Sequence, residues 1–458
     1  MAIIHQPQLF SWEQVEAASD LLRLQILLEG MLDEELMRTL EAERKGRRDD
    51  YPLRAVWNSV LAGIVFQHES VESLRRELER NGELRQACGF DVFRGASAVP
   101  GESVYSRFLG KLMSHFEELD QMVDALLERV SELLPDFGRR LASDSKAINS
   151  HAKPLRKDAE AGRPDGRRDE DADWGTKTYK GVRKDGTAWE KVNRWFGYKL
   201  HLLVDADYEL PLAYTVTKAS ANDSPHLLPL VEKLKARHPE LIERAKYLSA
   251  DKGYDSKDNN QDLYDEYGIR PVVDIRSTWQ EEPDRPRQLN PEKVDTVFYT
   301  ERGDVLCRCR DDGQEERDNY ASMAYEGFEA DRETLKYRCP AKARGVTCTQ
   351  QGLCNAGRQP ARGRIVRVPL SKDRRIFTPL ARDSKAWTRE YKHRSAVERV
   401  NSRLDVSFGF ERHYIRGMNK MKVRAGLAVA VMLAMAVGWL EAGQAERIRS
   451  LVGRPRAA

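Results

Sequence analysis

The sequence predicts an α/β protein in which a mixed sheet is flanked by helices. Apolar residues recur at helical spacing through residues 1–135, with no convincing alternation of period two. Over residues 136–275, short β-branched runs alternate with amphipathic segments in the order β, β, β, α, β, α, β. The helical pattern returns near residue 384. We therefore expect an all-helical N-terminal domain followed by a sheet with helices packed on it.

The N-terminal segment has two interpretations. A loop with Gly and Pro at residues 89–101 separates a charged helix, residues 71–85, from a second helix at 102–116. Two short helices around such a loop suit a helix-turn-helix that reads DNA. The alternative is a helical bundle that only packs or dimerises.

The sheet region is defined by apolar runs and the turns between them. Residues 195–204 and 210–217 form a predicted hairpin, and Pro225 opens a helix that runs to about residue 237. The charged, Gly-rich residues 152–191 are expected to form a long loop. The other predicted elements are strands at residues 141–148, 247–250 and 269–275 and a helix at 257–267.

A polar, Arg-rich segment interrupts this rhythm and holds five of the six cysteines. We interpret it as an insertion with its own small sheet. Its cysteines lack the paired C-x2-C spacing typical of zinc sites, so they form either a structural zinc site or reduced thiols that pack the sheet. They are Cys307, Cys309, Cys339, Cys348 and Cys354. The predicted division is an N-terminal domain at 1–135, a catalytic core at 136–275 and 376–458, and this insertion at 276–375.

Charge and hydropathy exclude several classes of protein. Residues 356–424 hold 19 Lys and Arg against 6 Asp and Glu, whereas the whole chain has a net charge of only +3. Such a concentration of positive charge is typical of a segment that binds a polyanion. The apolar run at residues 425–440 is short for a bilayer span and is expected to be a core helix. The first residues do not resemble a signal peptide, so we expect a cytoplasmic protein with no membrane partner.

Three acidic residues are candidates for chemistry. Asp144 lies within the first predicted strand, Asp251 ends a later strand, and Glu398 lies in a helix. A carboxylate in an apolar strand is costly unless it is paired or binds a metal, and strand ends of open sheets are where sites collect. Taken singly, each could equally be a solvated surface acid.

The helix around Glu398 carries a more specific pattern. Tyr391, Arg394 and Glu398 are spaced i, i+3 and i+7, so they share one helical face. Arg394 and Glu398 could form a plain surface salt bridge. Within a strongly basic segment, the same stripe also suits a site that holds a phosphodiester, with the Glu on a metal and the Arg and Tyr on phosphate oxygens.

On these residues the chain resembles the DDE transposases of bacterial insertion sequences, in the branch whose last acid lies in a Tyr-x2-Arg-x3-Glu helix. The similarity extends over roughly residues 135–275 and 376–440. It includes the strings at residues 195–201, 209–213, 221–224 and 250–255. The resemblance implies an RNase H-like fold for the mixed sheet.

The resemblance also implies a mechanism. Asp144, Asp251 and Glu398 would bind two Mg²⁺ ions, with Mn²⁺ as the alternative, to cleave the ends of an insertion sequence and transfer the 3′-hydroxyl into target DNA. Double-stranded DNA would be the partner, a homodimer the working unit, and the nucleoid the location when DNA is bound. The alternatives are a metal-dependent nuclease without joining activity and a non-catalytic DNA-binding protein derived from a transposase.

Further residues are candidates for DNA contact. Besides Tyr391 and Arg394, they are Lys252, beside Asp251, and Lys199 and His201, on the second predicted strand at residues 195–204. Each of the last three could instead be solvated surface. The family usually places a Lys seven residues after the Glu, where this chain has Asp405. Arg403 or Lys420 is the expected substitute.

Overall fold

The protein is described here by a computed structural model. It describes residues 19–44, 51–152, 154, 168–183, 185–279, 285–292, 296–309, 319–348 and 363–449.

Among the described residues, seven α-helices precede the first strand, as the helical spacing predicts. Ser70 and Asn81 cap two of them by accepting hydrogen bonds from the backbone N–H groups of Ser73 and Leu84. The helices are α1 Ser19–Gly30, α2 Glu34–Ala42, α3 Leu53–Val65, α4 Val71–Arg80, α5 Gly82–Cys88, α6 Glu102–Leu112 and α7 Phe116–Leu133.

The central sheet and its helices follow. The strands are β1 Arg140–Asn149, β2 Asp173–Val182, β3 Ala188–Asp205, β4 Leu210–Lys218, β5 Tyr247–Ala250 and β6 Arg270–Val273, and the helices are α8 Leu227–Arg237, α9 Pro239–Arg244 and α10 Lys257–Asp265. The strand order is β2-β3-β1-β5-β6, and β4 also pairs with β3. Strands β1, β3 and β4 are mutually antiparallel where they pair, whereas β5 runs parallel to β1 and to β6. This mixed sheet is consistent with an RNase H-like core.

The expectation of a long loop at residues 152–191 is wrong for its second half. Strand β2 pairs with the first half of β3, from Asp173 opposite Gly197 to Val182 opposite Ala188. Strand β2 and the first half of β3 are largely exposed on both faces. Their sequence therefore lacks the alternation of apolar and polar residues by which a half-buried strand is recognised.

The insertion forms two small sheets rather than the one expected. Strands β7 Arg287–Gln288, β8 Val297–Tyr299, β9 Val305–Cys309 and β10 Asn319–Ser322 form the first; strands β11 Ala324–Glu329, β12 Thr334–Arg338 and β13 Ile365–Pro369 form the second, and α11 spans Pro340–Ala343. Their apolar side chains make a hydrophobic cluster of their own. Cys307 is buried in β9, and Cys339 and Cys348 are free thiols. Cys354 and the side chain of Cys309 lie outside the described part of the chain.

Three α-helices follow the insertion in the described residues: α12 Lys385–Tyr391, α13 Ser395–Phe408 and α14 Met418–Glu441. Within the described part of the chain, α14 alone is long and apolar enough to cross a membrane, and 89% of its apolar window is buried inside the protein. It packs on α1, α7 and β4, which confirms the expectation of a core helix. The N-terminal helices, the central sheet and α14 share one hydrophobic core.

Helix α14 and helix α1 approach closely at two glycines. A Cβ on Gly438 would stand 2.3 Å from the carbonyl oxygen of Ile26, and a Cβ on Gly30 would stand 2.1 Å from that of Ala434. Only glycine, which has no side chain, allows the backbones of α1 and α14 to approach so closely. The first and last described helices of the core are therefore packed directly against each other.

Candidate active site

Asp144 and Asp251 are brought together by the pairing of two parallel strands. Ser143 of β1 lies opposite Ala250 of β5, and each acid is the next residue along its strand. Neighbouring strands are about 4.8 Å apart, so the two carboxylates start from adjacent backbone positions. Residues that are 107 positions apart in the chain thus share one site.

The environment of Asp144 opposes its negative charge. Only 14% of its side chain is exposed. Burial, and then the charge of Asp251, raises the pKa of Asp144 to about 6, against the lowering effects of Lys177 and Arg394. Its Oδ1 accepts a hydrogen bond of 2.7 Å from the backbone N–H of Ser145. A divalent cation beside Asp144 would stabilise the charged carboxylate that burial and Asp251 oppose.

Asp251 is held by the turn that follows it. Its Oδ1 accepts a hydrogen bond of 2.7 Å from the backbone N–H of Gly253, and so caps the short 3₁₀ turn Lys252–Tyr254. The side chain of Tyr254, the last residue of this turn, is fully buried. The turn fixes one oxygen of Asp251 and leaves the other for a ligand.

Glu398 is linked to Asp144 through Arg394. The Arg394 guanidinium lies 2.7 Å from Glu398 Oε1 and 4.0 Å from Asp144 Oδ2. Glu398 lies in the first turn of α13 and its side chain is 54% exposed. The i, i+4 salt bridge considered from the sequence therefore exists, and it lies beside the paired aspartates.

Tyr391 completes this edge of the site. Its ring stacks on Trp387 with centroids 4.6 Å apart, and the Arg394 guanidinium lies 6.0 Å from its centre. Burial, and then the charge of Asp274, raises the pKa of Tyr391 to about 12, so the phenol stays a neutral hydrogen-bond donor. Sequence reasoning missed Trp387, although its i−4 spacing from Tyr391 could have indicated it.

A metal site is only partly assembled. Within the described ranges, no three His, Cys, Asp or Glu side chains lie close enough together to hold a metal ion. This statement covers both the acids and the described cysteines of the insertion. Asp144 and Asp251 fit a divalent cation by their adjacency and their oxygen ligands, whereas the Glu398 carboxylate is occupied by Arg394.

Three residues predicted to contact DNA have other partners. Lys199 is ion-paired with Asp223 at 2.8 Å. His201 is fully buried, its Nε2 is hydrogen-bonded to Thr217, and burial lowers its pKa to about 4. Arg403 is buried against Glu209. We leave these three residues out of the proposed DNA surface.

Lys252 and Lys420 are exposed and remain candidates for DNA contact. Arg424, like Arg403, has its partners inside the fold, since its guanidinium donates hydrogen bonds to the carbonyl oxygens of Gly409 and Phe410. The basic segment therefore supplies fewer surface charges than its composition suggests.

The position of Asp405 is explained by a cation from another element. Lys146, two residues after Asp144 on β1, places its Nζ 2.5 Å from both Asp405 and Glu411. Only 10% of the Lys146 side chain is exposed. The charge of Asp405 is thus neutralised by a lysine of β1, a pairing that no local sequence pattern reveals.

The site thus consists of two carboxylates at neighbouring positions of a mixed sheet, beside a helix that carries Tyr, Arg and Glu, an arrangement consistent with an RNase H-like transposase. The chain belongs to the transposase DDE domain family, whose model matches residues 139–434. It is also similar to a protein described as a putative transposase for insertion sequence element IS402 of Burkholderia cepacia, with 38% identity over 87 residues. That match covers 18% of this chain and 39% of the relative.

Proposed function

We propose that this protein is a DNA transposase that cleaves the ends of an insertion sequence and joins the freed 3′-hydroxyl to target DNA. The observation that carries the proposal is the adjacency of Asp144 and Asp251 on β1 and β5, with Glu398 linked to them through Arg394. Membership of the transposase family supports the same reading.

Asp144 and Asp251 would hold the metal, with Glu398 as the third ligand once it exchanges Arg394 for a cation. Divalent cations, which we expect to be Mg²⁺ with Mn²⁺ as the alternative, would activate the attacking oxygen and stabilise the leaving oxygen of an in-line displacement. The Ser145 and Gly253 N–H groups hold one oxygen of each aspartate, so the remaining oxygens are oriented in advance.

Arg394 and Tyr391 would bind the phosphodiester. The Arg394 guanidinium lies between two carboxylates. When a cation neutralises those carboxylates, the guanidinium can instead bind a negatively charged DNA phosphate. The Tyr391 hydroxyl, neutral at physiological pH, can donate to a phosphate oxygen. We expect a homodimer to bring two element ends together.

The experiment is cleavage of a labelled duplex that carries the inverted repeat flanking the gene. With Mg²⁺ we expect nicking at the repeat end by the wild-type protein and a loss of at least about 100-fold in Asp144→Asn or Asp251→Asn, because an amide does not replace an anionic ligand. Asp258→Asn, an exposed acid on α10, is the matched control and should cut like the wild type.

Equal nicking by wild type and Asp144→Asn would place the chemistry elsewhere and overturn the proposal. Adding an unlabelled second duplex then separates the reactions. Transfer of the labelled 3′ end into it supports a transposase, whereas cutting without transfer identifies a nuclease. End-specific binding without any Mg²⁺-dependent cutting identifies a non-catalytic DNA-binding protein.

A further inference from the structure

Strand β2 and residues 188–197 of β3 form a two-stranded projection that we call the ribbon arm. Its strands pair without a break from Asp173 opposite Gly197 to Val182 opposite Ala188. Residues 188–194 are exposed throughout, and so is most of β2. Two-stranded ribbons without a core are marginally stable in water, so this one needs another source of order.

Two tryptophans supply that order. The Trp195 ring lies against Gly175 and the Trp189 ring against Gly181, in both cases the residue directly opposite on the other strand. A Cβ would stand 2.3 Å from the first ring and 2.6 Å from the second. An aromatic ring that covers a cross-strand glycine fixes the register of the two strands. The ribbon arm is thus built to keep its shape without being buried.

The two faces of the ribbon arm differ in chemistry. Paired residues share a face, so one face, which we call the basic face, carries no carboxylate between Gly175 and Gly181 or among the residues opposite them. Its side chains are Lys177, Tyr179, Trp189, Lys191, Asn193 and Trp195. The other face holds an ion pair between Lys180 and Glu190, at 3.2 Å, and the exposed Val182 and Val192.

The ribbon arm continues the strand that pairs with β1. Asp144 of β1 lies opposite Leu202 of β3, and the arm begins at Gly197, five residues earlier on the same strand. At the base of the arm, a Cβ on Gly197 would stand 2.1 Å from the carbonyl oxygen of Ile148.

We propose that the basic face of the ribbon arm binds the sugar–phosphate backbone of double-stranded DNA. This inference rests on the proposed function and names a DNA contact outside the acids and the Tyr391–Glu398 helix face. Lysines interleaved with aromatic rings, with no competing carboxylate, are a surface that suits a nucleic-acid backbone. A second copy of the chain is disfavoured as the occupant because protein interfaces are depleted in lysine.

The test compares variants by their affinity for a fluorescent DNA duplex of mixed sequence, measured without divalent metal over a range of salt concentrations. Lys177→Ala/Lys191→Ala should bind roughly tenfold more weakly at physiological salt, and the slope of log affinity against log salt should fall by about two. Lys180→Ala, on the opposite face and already paired with Glu190, is the matched control and should change the slope by less than half as much. All variants should melt like the wild type, since the arm is exposed.

Three results would overturn the inference. The first is an unchanged affinity and salt slope in the double variant. The second is a decrease of the salt slope in Lys180→Ala as large as that in the double variant, which would show that any lost charge on the arm has this effect. The third is a double variant that no longer self-associates in sedimentation experiments but still binds DNA like the wild type, which would assign the basic face to a second copy of the chain. If the wild-type protein itself binds no DNA, the proposed function fails rather than this inference alone.

Discussion

At the scale of the residue, the site depends on which charges neutralise one another. Arg394 lies between Asp144 and Glu398, and Lys146 lies between Asp405 and Glu411. Both cations are mostly buried, and so are Asp144 and Asp405, so removing either cation leaves one of these aspartates unpaired in a poorly solvated place. Glu398 and Glu411 are half exposed and depend less on the same cations.

The Lys146–Asp405 pair predicts a double-mutant cycle. Lys146→Asp and Asp405→Lys should each lower the free energy of unfolding by about 1–3 kcal/mol, because each places like charges together. The combined Lys146→Asp/Asp405→Lys variant should recover most of that loss, since the new pair has the opposite polarity. Urea unfolding of the four proteins measures the coupling. Additive effects in the double variant would show that the two side chains are independent.

At the scale of the element, one carboxylate joins the two ends of the insertion. Glu301 accepts hydrogen bonds from the backbone N–H and hydroxyl of Thr278 and forms an ion pair with Arg375. Thr278 and Arg375 lie where the chain enters and leaves the insertion. Although burial opposes ionisation, these hydrogen bonds lower the pKa of Glu301 to about 2. The ionised group therefore joins the two connecting segments.

Glu301→Gln should lower the free energy of unfolding at pH 7 by about 2 kcal/mol, since a hydrogen-bonded charge becomes neutral. The folded pKa lies below the ordinary value of 4.5, so the stabilisation is complete above pH 4.5 and is lost as the pH falls toward 2. The difference between wild type and variant should shrink between pH 7 and pH 3 in urea unfolding. Glu292→Gln, at an exposed acid of the insertion, should show no difference at either pH.

At the scale of the whole molecule, the N- and C-terminal helices close over the sheet as one core. Helix α14 is buried against α1, α7 and β4. This arrangement places α13, and with it Glu398, against β1 although 147 residues separate Asp251 from Glu398. The integrity of the site thus depends on contacts far from the acids.

Gly438→Ala should lower the melting temperature, with a loss of about 1–3 kcal/mol, because the added methyl group meets the backbone of α1. Gly110→Ala, in a helix position where a Cβ meets nothing within 4 Å, should instead be neutral or raise stability by up to about 1 kcal/mol. Thermal unfolding of the two variants measures this contrast. Equal stability would mean that α1 and α14 can separate at no cost.

The sequence by itself determined the elements whose pattern is local. The strand Tyr247–Ala250 has the predicted bounds, the predicted hairpin is the pairing of β3 with β4, and the apolar run at residues 425–440 is a buried helix. Asp144 and Asp251 are candidates from their strands, because a carboxylate in or at the end of an apolar run is costly unless it is paired or binds a metal, but only the family resemblance joins them with Glu398 into one predicted site.

Only the tertiary structure decided which charged groups meet. Lys199, Arg403 and Arg424 are as basic in the sequence as any DNA-binding residue, yet each has a partner within the fold. The cation beside Asp405 comes from β1, and the ribbon arm is a strand pair exposed on both faces. Periodicity reports burial along one segment, whereas these features depend on side chains that distant segments bring within a few ångströms.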